Sequence, residues 1–278
     1  MRLFEVLLIA VCLGASPAAQ TRKPVAKPAP AAKPGVAKPS GNPAAKKEQA
    51  VPFRPGETLT YDIGWSSYVT AGTATIAVQQ KRASYGSTAY YVVAEGRPAP
   101  LLAKLYTLFY KVDTLLDVYS LLPQRGSVYA EEGKRHRMKT TLFDQAARKV
   151  RYEVKTATLV TKDMAVPAYA QDALSALYVL RSIPLKTGDK FNMPIADNGN
   201  VYRVQMTVGS VEAVQTGMGS IQAIKVTPLI LNQDAKGAAP GRGMAMWLSN
   251  DARRLPVKIE AQLVVGKFTL ILRQVTGR

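Results

Sequence analysis

One stretch limits the choice of fold more than any other. Ala170-Gln171-Asp172-Ala173-Leu174-Ser175-Ala176-Leu177-Tyr178-Val179-Leu180-Arg181 is the single long, capped helix signal in a chain that otherwise reads as strands. Asp172 is placed to act as N-cap, accepting from the free N–H groups of the first turn. Arg181 stands in the last turn, where the helix dipole favours a cation, and Pro184 ends the run. At about 100° per residue, Ala173, Leu174, Ala176, Leu177, Tyr178 and Leu180 cover more than half of the circumference. Asp172, Ser175 and Ser182 keep the remaining strip polar. A helix this apolar is expected to be buried, with the strands arranged around it. Arg181 falls inside the apolar arc, and a buried arginine needs a carboxylate or carbonyl partner. Asp62, Asp113 and Asp117 are the candidate carboxylates, the helix's own end the alternative. The ligand-binding reading of Arg181 is a pocket cation that holds an anion.

The flanking segments alternate with a period of two. Leu59, Tyr61 and Ile63 alternate with polar positions, as do Gly72, Ala74, Ile76 and Val78 in the next segment. This is the pattern of half-buried antiparallel strands. The small residues Gly72, Ala74 and Ala77 point to a close neighbour on that strand. Leu101, Leu102, Leu105 and Leu108 fit a short helix before Phe109 returns to strand. Beyond the main helix, Asp197-Asn198-Gly199-Asn200 is a strong hairpin turn, followed by alternating Tyr202, Val204, Met206 and Val208. The expected fold is mainly β: a curved antiparallel sheet or incompletely closed β-barrel of about a dozen strands, with one principal buried helix.

The clearest hairpin runs from Lys134 to Lys155. A short loop near Asp144-Gln145-Ala146 would set Leu142, Thr140 and Met138 opposite Arg148, Val150 and Tyr152. Met138, Leu142, Val150 and Tyr152 would then share the buried face. Arg135, Arg137, Lys139, Lys149, Arg151 and Lys155 would fall on the other, with Glu153 the one carboxylate among them. Like charges on adjacent strands repel. Such a face is either an anion-binding surface, for phosphate-bearing headgroups or acidic sugars, or a solvated face carrying its share of the excess charge.

That excess is large, a formal net charge of +18 over 278 residues, and it favours anionic partners. The N-terminus indicates which ones. Residues 1–19 carry the parts of a secretory signal peptide: Arg2, an apolar core from Val6 to Leu13, and small residues around Ser16-Pro17-Ala18-Ala19. The core is far too short to span a bilayer, and no transmembrane segment is expected in the mature chain. Val11 stands where a lipobox wants a small residue before Cys12, so a lipid anchor is not expected. Residues 20–50 rotate Lys, Pro and Ala, a disordered tether that would reach on the order of 90 Å if extended. Residues 51–278 are expected to form one β-rich domain. The periplasm is the expected compartment, which with the lack of a reading motif argues against nucleic acid as the partner.

The residues for catalysis are scarce. Cys12 is the only cysteine and His136 the only histidine, so a Cys/His zinc site cannot be assembled. His136 lies between Arg135 and Arg137 with no orienting carboxylate in the pattern, and no Gly-x-Ser-x-Gly elbow is present. Asp62, Asp113, Asp117, Glu131 and Glu132 are available for a paired-carboxylate glycosidase, but none stands in a motif. No phosphate loop or dinucleotide fingerprint occurs, and no cofactor is expected.

Three separated segments carry a family pattern. They are Phe53-Arg54-Pro55-Gly56-Glu57-Thr58-Leu59-Thr60-Tyr61; Asp172 to Arg181 followed by Gly188-Asp189; and Trp247-Leu248-Ser249-Asn250-Asp251-Ala252-Arg253-Arg254-Leu255-Pro256-Val257. In order and spacing they resemble the bacterial domain of unknown function 3108 family. The resemblance spans about Val51 to the C-terminus and implies an exported, β-rich, Gram-negative protein; it implies no activity. The expected role is a non-enzymatic envelope protein that binds lipid, an acidic glycan or an envelope protein, or serves as an assembly factor. The rivals are an envelope glycosidase and an adaptor with a filled barrel.

Overall fold

The computed structural model of the protein describes residues 46–66, 69–105, 107–231, 243–263 and 266–277. The expected leader and all but the end of the expected tether lie outside the described residues. The chain already lies against the sheet from Glu48, which pairs with Lys81, and Gln49, whose N–H donates to the Val118 carbonyl.

Fourteen strands form one antiparallel sheet. They are β1 (Thr58–Trp65), β2 (Val69–Ser84), β3 (Ser87–Pro98), β4 (Leu108–Asp117), β5 (Pro123–Glu132), β6 (Arg135–Asp144), β7 (Lys149–Lys155), β8 (Leu159–Ala165), β9 (Lys190–Asp197), β10 (Asn200–Thr216), β11 (Gly219–Ile230), β12 (Met244–Ser249), β13 (Pro256–Leu263) and β14 (Gly266–Thr276). Two helices accompany them: α1 (Pro100–Leu105), at the Leu-rich run, and α2 (Ala173–Ser182). No described helix is long and apolar enough to cross a membrane. Each strand pairs with its neighbour in sequence from β1 to β8 and from β9 to β14, and β14 then pairs with β1. Two meanders are thus joined back to back. β8 and β9 are the free edges of the sheet, and α2 lies on the connection between them.

The alternation read from the sequence sets the inner face. Leu59, Tyr61 and Ile63 of β1 are buried, as are Val257 and Ile259 of β13 and Phe268, Leu270 and Leu272 of β14. Leu174 and Leu177 of α2 face Ala74 and Ile76 of β2, Ala94 of β3, Val112 of β4, Ile259 and Leu270. Strands far apart in the sheet therefore reach one helix, so the sheet wraps around it. Ala74 is the small residue that admits the helix. The gap left beside these two leucines is about 30 Å³, room for a water molecule or two. Leu174, Leu177, Tyr178 and Leu180 are at most 3% exposed. Burying side chains of this size contributes about 1.5–3 kcal/mol each.

The cap forms as the sequence indicates. The Ser175 N–H donates to Asp172 Oδ1 (2.8 Å), and Ser175 Oγ accepts from the Asp172 N–H (2.9 Å), a capping box. The chain before the cap joins the two edges. Gln171 makes a parallel bridge to Ile195 of β9, with Gln171 N–H donating to the Pro194 carbonyl and Ala196 N–H to the Gln171 carbonyl. A second, small core of Val150, Val166, Ala170 and Ala196, with Phe143, Met164 and Val201, lies across this seam. The barrel stays open there: no ladder joins β8 to β9, and the seam is spanned by side chains and the one bridge from Gln171.

Candidate functional site

Arg181 is a fully buried side chain, and its partner is Glu57. Nη1 donates to Oε1 (2.7 Å) and Nη2 to Oε2 (3.0 Å), a bidentate pair, and Nη2 also reaches the Arg253 carbonyl. The guanidinium lies beside the edge-to-face pair of Phe53 and Tyr178, 5.4 and 5.1 Å from their centroids. The carboxylates expected beside it are elsewhere. Asp113 pairs with Arg125. Asp117 ties the β4–β5 turn by accepting from Ser87 and Ser120. Asp62 is on the outer face, near Arg273. α2 carries Arg181 to the end of the barrel where the chain enters β1; Asp117 lies at that end too, but its carboxylate is taken by Ser87, Ser120 and Gln124. The arginine clamps that entry segment to the helix.

The basic hairpin departs from its expected register. Leu142 pairs with Arg151, Thr141 with Tyr152 and Asp144 with Lys149. Four residues, 145–148, make the turn; Asp144 accepts from the Ala147 N–H, and Arg148 takes φ +53°. The offset from the expected pairing is odd, and an odd slip exchanges the faces. Arg135, Arg137 and Lys139 therefore share the inner face with Val150, Tyr152 and Val154. Lys149, Arg151 and Lys155 share the outer face with Met138 and Leu142. The expected six-cation face is split. Arg137 pairs with Glu132. Arg151 pairs with Asp163 beside an open groove of about 540 Å³ that Lys149 also lines.

The inner-face cation Lys139 leads to a cluster at the seam. Its Nζ donates to Asn198 Oδ1 (2.8 Å), and Asn198 Nδ2 donates to Asp197 Oδ2 (2.7 Å). Asp172 approaches from α2, its Oδ2 accepting from Thr114 Oγ1 (2.6 Å). Gly126 leaves the room for that carboxylate, since a Cβ there would lie 3.1 Å from Oδ2. Lys139, Asp172, Asp197, Asn198, Ser127 and Tyr152 share a cavity of about 20 Å³, enough for about one water molecule. The Ser127 hydroxyl is buried there with no protein partner.

Both carboxyls titrate unusually high. Burial pushes Asp197 up to about 7, opposed by Lys139 and aided by Asp172. Burial pushes Asp172 up to about 6 against the hydrogen bonds from Thr114 and the helix N-terminus. The turn that carries Asp197 is pressed onto the other edge of the sheet. Gly199, at φ +71°, lies against the Tyr152 ring, where a Cβ would approach Cδ1 to 2.8 Å, and Lys162 Nζ donates to its carbonyl (2.6 Å). The cluster can take up or release a proton near neutral pH at the joint between the two meanders. Asp172 reads as a cap and Asp197–Asn200 as a turn; nothing in either local pattern says that they meet. Among the described residues, no group of three or more His, Cys, Asp or Glu side chains is placed to hold a metal ion. His136 is exposed and contacts the Tyr129 hydroxyl, and Glu132 is engaged by Tyr110 as well as Arg137.

A sequence-family profile described as "Protein of unknown function (DUF3108)" matches residues 60–273. The chain belongs to this family. No curated protein matches it. Among solved structures, a β-barrel-like protein of domain of unknown function DUF1849 from Brucella abortus is similar over 84% of this chain and 100% of that one, with a TM-score of 0.53 at 9% identity. At that identity the likeness concerns the fold. A Bacteroides fragilis protein described as exported, with a YmcC-like fold, gives a TM-score of 0.32 at 13% identity, over 83% of this chain and 100% of that one. A Parabacteroides distasonis protein described as a lipoprotein gives 0.32 at 9%, again over 83% and 100%. The DUF3108 chain thus has the open-barrel architecture that its sequence pattern indicates.

Proposed function

We propose that this DUF3108 protein is an exported, non-catalytic component of the cell envelope that binds an anionic envelope surface with the outside of its barrel. The observation that carries this reading is the small size of the two inner gaps among the described residues. α2 and its leucines leave about 30 Å³ beside them, too little for an acyl chain. The polar cavity at the seam has room for about one water, too little for a sugar ring between two carboxylates. Among the described residues neither inner gap holds an acyl chain or a sugar ring, which favours binding through the surface. The net charge of +18 favours an anionic partner there, and the leader pattern supports an extracytoplasmic location.

The test is co-sedimentation of the purified mature protein with anionic phospholipid vesicles and, separately, with acidic envelope glycan, across a salt series. Binding that weakens as salt rises is expected for at least one. Absence of binding to both, or lipid retained in the barrel by native mass spectrometry, refutes the reading.

A further inference from the structure

The antiparallel meander sorts the turns onto two ends of the barrel. α1, the β5–β6 turn, the β7–β8 turn, the β9–β10 turn and the end of β11 all lie at one end. The entry into β1, the β2–β3 turn and the β10–β11 turn lie at the other. Exposed apolar side chains are more numerous at the first end, although Tyr85 and Met218, 66% and 39% exposed, lie at the other. Leu101 on α1 is 73% exposed, Leu159 and Val160 at the start of β8 are 57% and 60%, and Leu229 and Leu231 are 48% and 43%.

Leu159 and Val160 are the most telling. As successive residues of a strand they point to opposite faces, and both are exposed. The start of the edge strand β8 is therefore open to solvent on both faces, with apolar groups on either side. Leu159 pairs with Lys155, and Lys155 with Met138. The β5–β6 turn, carrying exposed Lys134 and Arg135, lies two strands across and three to four residues further along, about 15 Å away. Lys104 is exposed on α1. The carboxylates nearest this end are engaged: Glu132 by Arg137 and Tyr110, Glu95 by Lys111 and Arg97. Glu131 is half-buried.

We propose that this rim is a docking surface for an anionic phospholipid bilayer, with Leu159 and Val160 entering the headgroup layer and Lys134, Arg135 and Lys155 meeting lipid phosphates. It rests on the surface-binding reading above and gives it a location and a ligand class. Apolar tips ringed by cations match a membrane interface, where apolar area leaves water while basic residues face a negative surface. A second copy of the chain fits less well. Pairing two β8 edges would bring the cations of both hairpins together, against the overall charge.

The experiment uses vesicles of phosphatidylglycerol with phosphatidylcholine, and vesicles of phosphatidylcholine alone. Four variants are compared with the parent: L159D/V160D and R135E/K155E at the rim, and Tyr85→Asp and K186E/K190E at the opposite end. All these residues are exposed, and circular dichroism checks that each variant folds. A fluorophore on Leu159→Cys in the mature protein, whose residues from 20 onward hold no other cysteine, reports burial of the tip. Salt-sensitive binding to the anionic vesicles alone is expected, with a blue shift of the probe. Each rim variant is expected to lose roughly 10-fold or more in affinity, and the opposite-end variants less than about 2-fold. Equal losses from both charge-reversed pairs without a blue shift would overturn the rim while leaving a diffuse anionic attraction. Binding to acidic glycan but not to vesicles would overturn the lipid assignment and keep the surface-binding reading. A parent dimer that L159D/V160D dissociates would assign the tip to a second copy instead. Failure to bind any anionic component would refute both proposals.

Discussion

Replacing Asp197 with Asn tests the seam directly. An unfolded aspartate titrates near 3.8, whereas burial holds Asp197 at about 7 and Asp172 at about 6. A carboxyl raised in the folded state binds its proton more tightly there than in the unfolded chain. Its protonation therefore favours folding, and stability falls as pH rises through the window from about 4 to 7. Between pH 5 and pH 8, linkage at 1.36 kcal/mol per pH unit gives about 2–3 kcal/mol for Asp197 and about 1–1.5 for Asp172. The sum is about 4 kcal/mol more stability at pH 5. The carboxyls of Asp117, Asp251 and Glu260 are held low by hydrogen bonds and lysine or arginine neighbours. They lose their contributions only below this window. Urea denaturation at pH 5, 6, 7 and 8 reads the effect, and Asp197→Asn keeps the shape while removing the titration. The variant is expected to be more stable than the parent at pH 8, to match it within about 1 kcal/mol at pH 5, and to retain less than half of the slope. A parent whose stability is flat or rises from pH 5 to 8, or a variant with an unchanged slope, refutes the argument that the seam carries buried, titrating carboxyls.

Three further outcomes follow from contacts described above. Glu57→Gln strands the Arg181 charge in the core and should cost about 3–5 kcal/mol by urea denaturation, whereas Glu57→Leu with Arg181→Met should recover most of it; additive losses in the double variant would contradict the clamp. Asp172→Ala removes the cap of α2 and one of the titrating groups, so it should lower stability by about 1–2 kcal/mol at pH 5 and by less at pH 8; an equal loss at both would separate the cap from the titration. Gly199→Val meets both a positive φ and the Tyr152 ring and should cost about 2–4 kcal/mol by thermal denaturation, of which Tyr152→Ala in the same chain relieves only the steric share.

Much of this architecture is legible locally. Asp172, the apolar arc after it and Pro184 mark α2 at both ends because caps and breakers act within one turn. The alternation of Leu59, Tyr61 and Ile63 assigns the inner face for the same reason. What escapes is set by distance or by parity. Glu57 lies in the lead-in to β1, 124 residues from Arg181, and nothing in its neighbourhood says that a helix end will settle there. The β6–β7 hairpin depends on how many residues the turn consumes. Arg148 adopts a left-handed conformation without being glycine or asparagine, so the turn's length is not written in its composition. Asp197 reads as a turn residue; only the pressing of that turn against Tyr152 and Lys139 makes it a buried acid.

The pairing of β1 with β14 sets Thr58 opposite Thr276. The domain's first and last strands are neighbours, and the lead-in to β1 and the end of β14 lie together at the pole opposite Leu159 and Val160. A fusion partner or affinity tag joined directly to the end of β14 would hold the molecule by its far pole and leave the hydrophobic tips pointing outward. The same adjacency makes the domain a candidate for circular permutation: a short linker across the β1–β14 pair would free new termini at an exposed turn such as Tyr85-Gly86 without breaking the ladder that unites the two meanders.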